Sequence, residues 1–282
     1  MKSLTVFTHA RPHQTAQALR RLIELARESG VEVRLPEGEA GKHGIEAQDG
    51  VVLDAGPDGD TDLAVVLGGD GTILTALRRY ARRDVPVFAV NFGTIGFLAT
   101  VEPDELEEGF RLALAHEFDV MPIPGLVAST SEGERIGMND ISFHRMQTGR
   151  VAELAYSVQG EQLGEVRCDG LVASTPAGST GYNLANGGPV LAWGVEGYVV
   201  SFIAPHTLTA RALVVAPSDT LAVTNRSREE DVEMTTDGHS VCDLPREDTV
   251  AIRFEPGCSQ LAQLPGASFY HRLRDKFGRL AY

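Results

Sequence analysis

The sequence predicts an N-terminal α/β domain followed by a larger, β-rich domain, and three observations carry this prediction. In residues 1–100, short apolar runs alternate with stretches whose apolar residues recur every three or four positions, as in a parallel sheet with connecting helices. After about residue 117, short strand-like runs separated by turn signals replace this alternation. The length of 282 residues fits one large domain or two ordinary ones.

The N-terminal elements follow one another in the order of a parallel sheet. Strands are predicted at 4–8, 31–35, 51–53, 63–67 and 85–91, and helices at 14–29, 73–80 and 103–116. The run at 63–67 is apolar throughout, which is typical of a strand covered on both faces. Gly30 follows the first helix at the position of a C-cap glycine, and Pro103 opens the last one.

Residues beyond 117 predict a mostly β domain. Strand-like runs lie at 123–129, 135–144, 150–159, 170–174, 197–203, 212–216, 220–225, 232–236 and 248–254. The basic tail at 269–279 is predicted to return to the first domain. We therefore expect one domain at 1–117 together with 265–282, and a second at 118–264.

Composition and charge exclude several classes of protein. Lys and Arg number 25 against 39 Asp and Glu, a net charge of −14, which argues against a nucleic-acid partner because that affinity requires cations on phosphates. The longest apolar runs fall far short of the roughly 20 residues needed to cross a bilayer, and the N-terminus shows no signal-peptide pattern. Three widely spaced cysteines indicate a reduced, cytoplasmic protein rather than a disulfide framework or a zinc site.

The most informative motif is the turn Gly68-Gly69-Asp70-Gly71-Thr72, between the strand at 63–67 and the helix that follows. Its glycines allow close approach to phosphate oxygens, and the helix N-terminus adds unpaired N–H groups. A carboxylate inside a phosphate-binding turn is electrostatically costly, so Asp70 predicts metal binding or proton acceptance. The alternative is a tight turn in which Asp70 caps the helix.

Two further motifs lie after or within predicted strands. Residues 91–98 form a second glycine-containing turn at the same edge of the sheet, or else a structural crossover into the second domain. The pair Asn139-Asp140 lies among apolar residues. An amide beside a carboxylate can bridge the two hydroxyls of a ribose, and a polar β-turn is the alternative.

The longest motif, residues 167–189, is rich in glycine, small residues and hydroxyls. These residues make a poor core but a good ligand-facing loop, in which Tyr182 supplies a stacking plane. A glycine-rich surface loop is the alternative. Asp237-Gly238-His239 is the last candidate, and in isolation it favours a hairpin turn that ends in an exposed histidine.

Two common nucleotide-binding motifs are excluded by spacing. Gly41-Lys42 is not a Walker loop, because Pro36 and His43 occupy the positions that require a glycine and a hydroxyl residue. No GxGxxG follows a predicted strand, which disfavours a dinucleotide-dependent dehydrogenase.

Together the motifs resemble the NAD kinase family, which phosphorylates the 2′-hydroxyl of the adenosine ribose of NAD to make NADP. The resemblance covers the whole chain and rests on GGDGT at 68–72, NFGTIGFL at 91–98, ND at 139–140, DGLVASTPAGSTGYNLANGGP at 169–189 and APHTLTARALVVAPSD at 204–219. GGDGT alone is weak, because lipid kinases and phosphofructokinases carry similar loops. The family fold is a Rossmann-like α/β domain and a larger β-sandwich-like domain, with the C-terminus returning to the first.

The resemblance implies a role for each matching residue. Asp70 is the implied general base, and the surrounding glycines are implied to hold nucleotide phosphates. Substrate and nucleotide contacts are implied at Gly68, Gly69, Gly71, Thr72, Asn139, Asp140, Arg150, Arg167, Asp169, Ala177, Thr180, Gly181, Tyr182, Asn183, Leu184, Ala185 and His239.

The resemblance also implies ligands and assembly. The donor is ATP or inorganic polyphosphate, with a divalent ion, Mg²⁺, carried on the donor phosphates rather than on dedicated side-chain ligands. The first domain then binds nucleotide phosphates, and the second binds NAD. The family implies a homodimer or homotetramer, with no membrane partner.

Two residues depart from the family pattern. Asp140 stands where the family has Glu and is one methylene shorter, which changes the reach of its carboxylate. His239 stands where many members have Gln, and a histidine there is either a hydrogen-bond partner or a second proton acceptor.

Two other functions fit parts of the sequence. A lipid kinase of the diacylglycerol or sphingosine type also uses GGDGT, but it requires an apolar acyl pocket, whereas residues 169–189 are small and polar. A non-catalytic dinucleotide sensor binds NAD without turnover, and the sequence alone does not distinguish it from an enzyme.

Overall fold

The computed structural model describes residues 1–56, 59–94, 96–147, 150–228, 230–266 and 268–278. Ile95 of the motif at 91–98, and Ala267 with the last four residues of the predicted segment 265–282, lie outside these ranges. The chain divides into two compact units, Met1–Pro122 with Ser259–Tyr282, and Ile123–Cys258. The predicted class is confirmed, since an α/β part precedes a β-rich part and the C-terminal segment returns to the first.

The first unit is a parallel sheet with helices. Its strands are β1 (Ser3–Thr8), β2 (Glu32–Arg34), β3 (Val51–Val52), β4 (Leu63–Gly68) and β5 (Pro86–Asn91). Its helices are α1 (Ala16–Glu28), α2 (Glu39–His43), α3 (Asp70–Arg79), α4 (Leu106–Ala115) and α6 (Phe269–Phe277), while the short α5 (Tyr182–Ala185) belongs to the second unit. No helix within the described ranges has both the length and the apolar character of a membrane span.

The register of this sheet places two sequence motifs side by side. The order β5-β4-β1-β2-β3 is parallel throughout. Residues of β4 are completely buried, as the unbroken apolar run predicts for a central parallel strand. Gly68 at the end of β4 pairs with Asn91 at the end of β5. The motifs that begin at these residues therefore share one edge of the sheet.

The second unit contains two sheets of antiparallel strands around one core. Its strands are β6 (Asp119–Thr130), β7 (Gly133–Gly137), β8 (Asp140–Arg145), β9 (Ala152–Val158), β10 (Glu161–Cys168), β11 (Gly170–Ser174), β12 (Tyr198–Ile203), β13 (Leu213–Val215), β14 (Leu221–Asn225), β15 (Val232–Thr236), β16 (His239–Leu244) and β17 (Thr249–Gln263). One sheet has the order β13-β12-β11-β8-β15-β16, and the other includes β10-β9-β14-β17. The core takes Phe143 and Tyr198 from the first sheet and Ile252 from the second, which is the arrangement of a sandwich.

Some predicted elements were wrong in extent. The run at 135–144 is two strands, because the backbone N–H groups between β7 and β8 bond to the Asp237 carboxylate instead of a neighbouring strand. The strands β10 and β16 and the helices α2, α5 and α6 lie where no such element was predicted. β10 escaped notice because its first five residues are exposed or partly exposed and mostly polar, and only Val166 and Cys168 at its end enter the core.

Candidate active site

The GGDGT turn and the turn at 91–98 form one closely packed structure in the first unit. β4 ends at Gly68, Gly69 is the N-cap residue, and α3 begins at Asp70. The two turns touch through their backbones, since a β-carbon on Gly93 would lie 2.7 Å from the Gly69 Cα. The N–H of Phe92 donates to the Gly68 carbonyl at 3.0 Å. The two turns therefore bring glycine backbone to the N-terminus of α3, and free N–H groups at a helix N-terminus suit phosphate oxygens.

Asp70 does not cap its own helix. Its Oδ2 accepts the N–H of Phe97 at 3.1 Å, and its Oδ1 accepts the N–H of Leu98 at 3.1 Å. The N-cap residue Gly69 makes no side-chain cap, so the capping alternative is wrong. Each carboxylate oxygen keeps further acceptor capacity beyond the bond it makes. The carboxylate is therefore held in a defined orientation while it can still accept a proton.

In the second unit, the long motif packs against the Asn139-Asp140 pair. The Asn139 carbonyl accepts the N–H of Thr175 at 2.8 Å and the hydroxyl of Ser174 at 3.1 Å. Gly178 approaches so closely that a β-carbon there would lie 2.1 Å from the same carbonyl oxygen. The Asn139 Oδ1 is buried without a hydrogen-bond partner among the described residues. Such an acceptor is costly unless a ligand satisfies it.

Asp237 organises this pair and was not predicted as a functional residue. It lies at the β15–β16 hairpin with a φ of +47°. Its Oδ1 accepts the N–H groups of Asn139 at 2.6 Å and Asp140 at 3.2 Å, and its Oδ2 accepts that of Met138 at 3.1 Å. Its own N–H donates to the Asp140 carbonyl at 3.0 Å. The predicted hairpin is present, but its carboxylate positions a distant pair of residues.

The Asp140 side chain is 6% exposed. Burial, together with the nearby Asp237 carboxylate, raises the pKa of Asp140 from 3.8 to about 7. The folded protein therefore holds this proton up to a higher pH than the unfolded chain does. The stability that comes from the protonated form is complete below about pH 4 and is lost as the pH rises through about 7.

Replacing Asp140 with Asn is expected to stabilise the unliganded protein at alkaline pH, because it removes a buried ionised carboxylate. The gain over wild type should be small at pH 4 and reach roughly 2–4 kcal/mol at pH 8. Denaturant unfolding at both pH values measures it. Asp243→Asn, an exposed carboxylate on β16, serves as the control. A stability gain of Asp140→Asn that does not depend on pH would contradict the raised pKa of Asp140.

The remaining residues of the long motif have different surroundings. The Tyr182 ring stacks on His144, with centroids 5.7 Å apart, and its side chain is 37% exposed, so one face is open to a ligand. Burial raises the pKa of the Tyr182 hydroxyl, and Asp140 and Asp169 act in the same direction. Asn183 is fully buried and its amide donates to backbone carbonyls within the loop. Ala177 is buried, Thr180 and Leu184 are half-buried, and Gly181 and Ala185 are exposed.

Two predicted arginines lie together in a separate pocket of the second unit, of about 440 Å³. Arg150 pairs with Glu230 at 2.7 Å, and Arg167 pairs with Glu153 at 3.1 Å. The lining consists of Arg150, Val151, Glu153, Arg167, Ser227, Arg228 and Glu230. Asn139, which was predicted to contact substrate together with these arginines, is not among the residues that line this pocket.

Two other predicted contacts also lie outside that lining. Asp169 pairs with Arg145 at 2.8 Å, and His239 is exposed at the start of β16. Within the described ranges, no group of three His, Cys, Asp or Glu side chains is placed to hold a metal ion.

A glycine turn beside an oriented carboxylate suits phosphoryl transfer, as in the class of kinases, and comparison with known proteins specifies the family. Residues 14–118 match the family described as ATP-NAD kinase N-terminal domain. Residues 138–262 match the one described as ATP-NAD kinase C-terminal domain. The chain therefore belongs to the NAD kinase family, and it is a kinase that phosphorylates NAD to NADP.

Relatives and solved structures agree with this assignment. Proteins named NAD kinase from Lachnoclostridium phytofermentans and Geobacter sulfurreducens are each 35% identical to it, over 230 and 251 residues. These alignments cover 78% and 87% of this chain, and 81% and 86% of the relatives. The predicted family is confirmed, and neither the lipid kinase nor the sensor receives support.

Two solved structures share the fold at low sequence identity. Yeast NADH kinase complexed with NADH has a TM-score of 0.88 and 22% identity, covering 100% of this chain and 90% of that one. An NAD kinase from Archaeoglobus fulgidus in complex with ATP has a TM-score of 0.74 and 23% identity, and the match covers 99% of this chain and 98% of that one.

Proposed function

We propose that this kinase transfers the γ-phosphoryl group of ATP to the 2′-hydroxyl of the adenosine ribose of NAD, with Asp70 as general base. The observation that carries the proposal is the Asp70 carboxylate, held by two backbone N–H groups beside a glycine turn. As the bond from the 2′-oxygen to phosphorus forms, the bond to the β–γ bridging oxygen breaks. The hydroxyl proton passes to Asp70, and ADP leaves.

Under this proposal, the two domains bind different substrates. The domain at 1–117 with 265–282 binds the donor phosphates at Gly68, Gly69, Gly71 and Thr72. The domain at 118–264 binds NAD, with Asn139 and Asp140 at a ribose diol and Tyr182 as a stacking surface. The unsatisfied Asn139 Oδ1 and the open face of Tyr182 support this division. The other predicted contacts stay predictions.

The metal enters as part of the substrate, the Mg–ATP complex. Apart from Asp70 and the Thr72 hydroxyl, the glycine turn offers no metal-ligating side chain, and each Asp70 oxygen accepts one backbone N–H group. Mg²⁺ on the triphosphate neutralises charge on the transferred group. Inorganic polyphosphate is the alternative donor, since a glycine turn recognises phosphates rather than a base.

We propose a cytoplasmic homodimer or homotetramer. The three cysteines Cys168, Cys242 and Cys258 are free thiols, which supports a reducing compartment. The strand β13 ends its sheet with Val214 half-exposed, and Leu208 in the preceding loop is 92% exposed, which supports an interface between copies.

The test is incubation of the purified chain with NAD, ATP and MgCl₂, followed by detection with an NADP-specific dehydrogenase. We expect a product that this dehydrogenase uses, because it recognises only the 2′-phosphate. A parallel reaction with polyphosphate identifies the donor. A phosphorylated NAD, seen by mass spectrometry but not used by the dehydrogenase, would contradict the 2′ position. Product formed only with polyphosphate would contradict ATP as donor.

A further inference from the structure

The C-terminal helix α6 packs on the loop that follows β5. The Phe97 ring lies near two aromatic residues of α6, with its centroid 5.7 Å from Phe269 and 6.0 Å from Phe277. Phe97 itself is 4% exposed. The loop that donates two N–H groups to Asp70 is therefore covered by α6.

Arg272 of α6 binds the backbone of the same loop. Its Nη1 donates to the Phe97 carbonyl at 3.1 Å and also to the Ala99 carbonyl, and its Nη2 donates to the Gln263 side chain. Burial lowers the pKa of this guanidinium, while the Glu102 and Asp70 carboxylates act in the opposite direction. A partly buried guanidinium that donates to backbone carbonyls fixes the directions of those carbonyls, because its donors form a rigid fork.

A second cation of α6 holds the ends of the loop. Lys276, one helical turn after Arg272, pairs with Glu102 at 2.6 Å. The other oxygen of Glu102 accepts the Asn91 amide at 2.9 Å, and the Asn91 Oδ1 accepts the N–H of Gly93 at 3.0 Å. Both ends of the loop are thereby tied to each other and to α6.

The peptide group between Phe97 and Leu98 connects Arg272 to Asp70. Its carbonyl accepts Arg272, and its N–H donates to Asp70 Oδ1. A trans peptide is planar, and its C=O and N–H point in opposite directions. Fixing the carbonyl with Arg272 therefore fixes the direction from which the N–H meets Asp70.

We propose that Arg272 is a positioning residue for Asp70, acting through the 97–98 peptide. This rests on the proposed role of Asp70 as general base. Arg272 lies outside the motifs at 68–72 and 169–189, and the hydrogen bonds described above join it to the loop after β5 and to Gln263. Its effect should therefore appear in the rate of the chemical step rather than in substrate binding.

The test compares Arg272→Gln and Arg272→Lys with wild type in the NADP-forming assay. We expect Arg272→Gln to lower kcat at least about 10-fold, while KM for NAD and ATP changes less than about 2-fold. Arg272→Lys keeps the charge and should recover part of the loss. Arg274→Gln is the matched control, because Arg274 lies on the same helix but pairs at the surface with Asp275.

A double variant separates positioning from general destabilisation. If Arg272 acts through Asp70, adding Arg272→Gln to Asp70→Asn should cost less than about 2-fold more in kcat. Equal losses in both backgrounds, or a normal kcat for folded Arg272→Gln, would overturn the proposal. Thermal unfolding reports the folded fraction, and Arg272→Lys provides the same comparison if Arg272→Gln does not fold. A near-normal kcat for Asp70→Asn alone would instead overturn the proposed base.

Discussion

Replacing Asp70 with Asn is expected to lower kcat for NADP formation by about 100- to 10,000-fold, the range that a general base contributes. The amide has nearly the same shape and can still accept one of the two N–H groups of Phe97 and Leu98, so the loop should keep its place. What it lacks is the ability to take a proton from the ribose hydroxyl. KM for NAD should change by less than about 3-fold, because the predicted NAD contacts lie elsewhere.

Steady-state kinetics with NAD and ATP varied independently measure this effect. Asp104→Asn is the control, since it removes an exposed carboxylate from the same unit. Equilibrium titration with NAD confirms that the variant binds substrate. A variant that binds NAD normally and retains more than about a tenth of wild-type kcat would show that another group accepts the proton, with His239 the next candidate.

Replacing Asp237 with Ala is expected to raise KM for NAD at least about 10-fold and to destabilise the fold by about 2–4 kcal/mol. Three N–H groups, those of Met138, Asn139 and Asp140, lose their acceptor. An unsatisfied buried donor costs about 1–3 kcal/mol, and water entering the turn offsets part of this total. The substrate effect follows because Asn139 and Asp140 lose the anchor that fixes their backbone.

NAD titration and denaturant unfolding of the same preparation separate the two effects. Asp243→Ala removes an exposed carboxylate from the same hairpin, and it should change neither the NAD affinity nor the free energy of unfolding. Asp237→Ala should also lower the pKa of Asp140, because it removes one of the two causes that raise it. Destabilisation with unchanged NAD affinity would mean that Asp237 supports the fold without positioning the site.

Sequence patterns correctly predicted those elements that are determined by interactions between neighbouring residues. The apolar run of β4 and the helical stripe that begins at Ile73 place the GGDGT turn between a strand and a helix, and the structure agrees. β10 was missed because its period-2 pattern is confined to its last four residues. The run at 135–144 was predicted as one strand because the Asp237 carboxylate, which lies outside the run, sets its break.

Distance along the chain explains which functional contacts escaped prediction. Asp237 reaches Asn139 across 98 residues, and Arg272 reaches Phe97 across 175. An Asp-Gly turn predicts a hairpin, and the basic tail is predicted to return to the first domain, but neither pattern says which backbone groups their side chains will meet. Those partners depend on how strands and helices pack, which residue spacing does not record.

By itself, the sequence determined the order of the two domains and the turn that carries Asp70, because glycine spacing and apolar periodicity act over a few residues, and its motifs carried the resemblance to the family. Only the tertiary structure decided that Asp70 is held by the loop after β5, that Asp237 holds the Asn139 pair, and that α6 covers Phe97. The physical reason is that hydrogen-bond partners and burial are properties of residues brought together from distant parts of the chain. The raised pKa of Asp140 arises in the same way, from burial and from a carboxylate 97 residues further along.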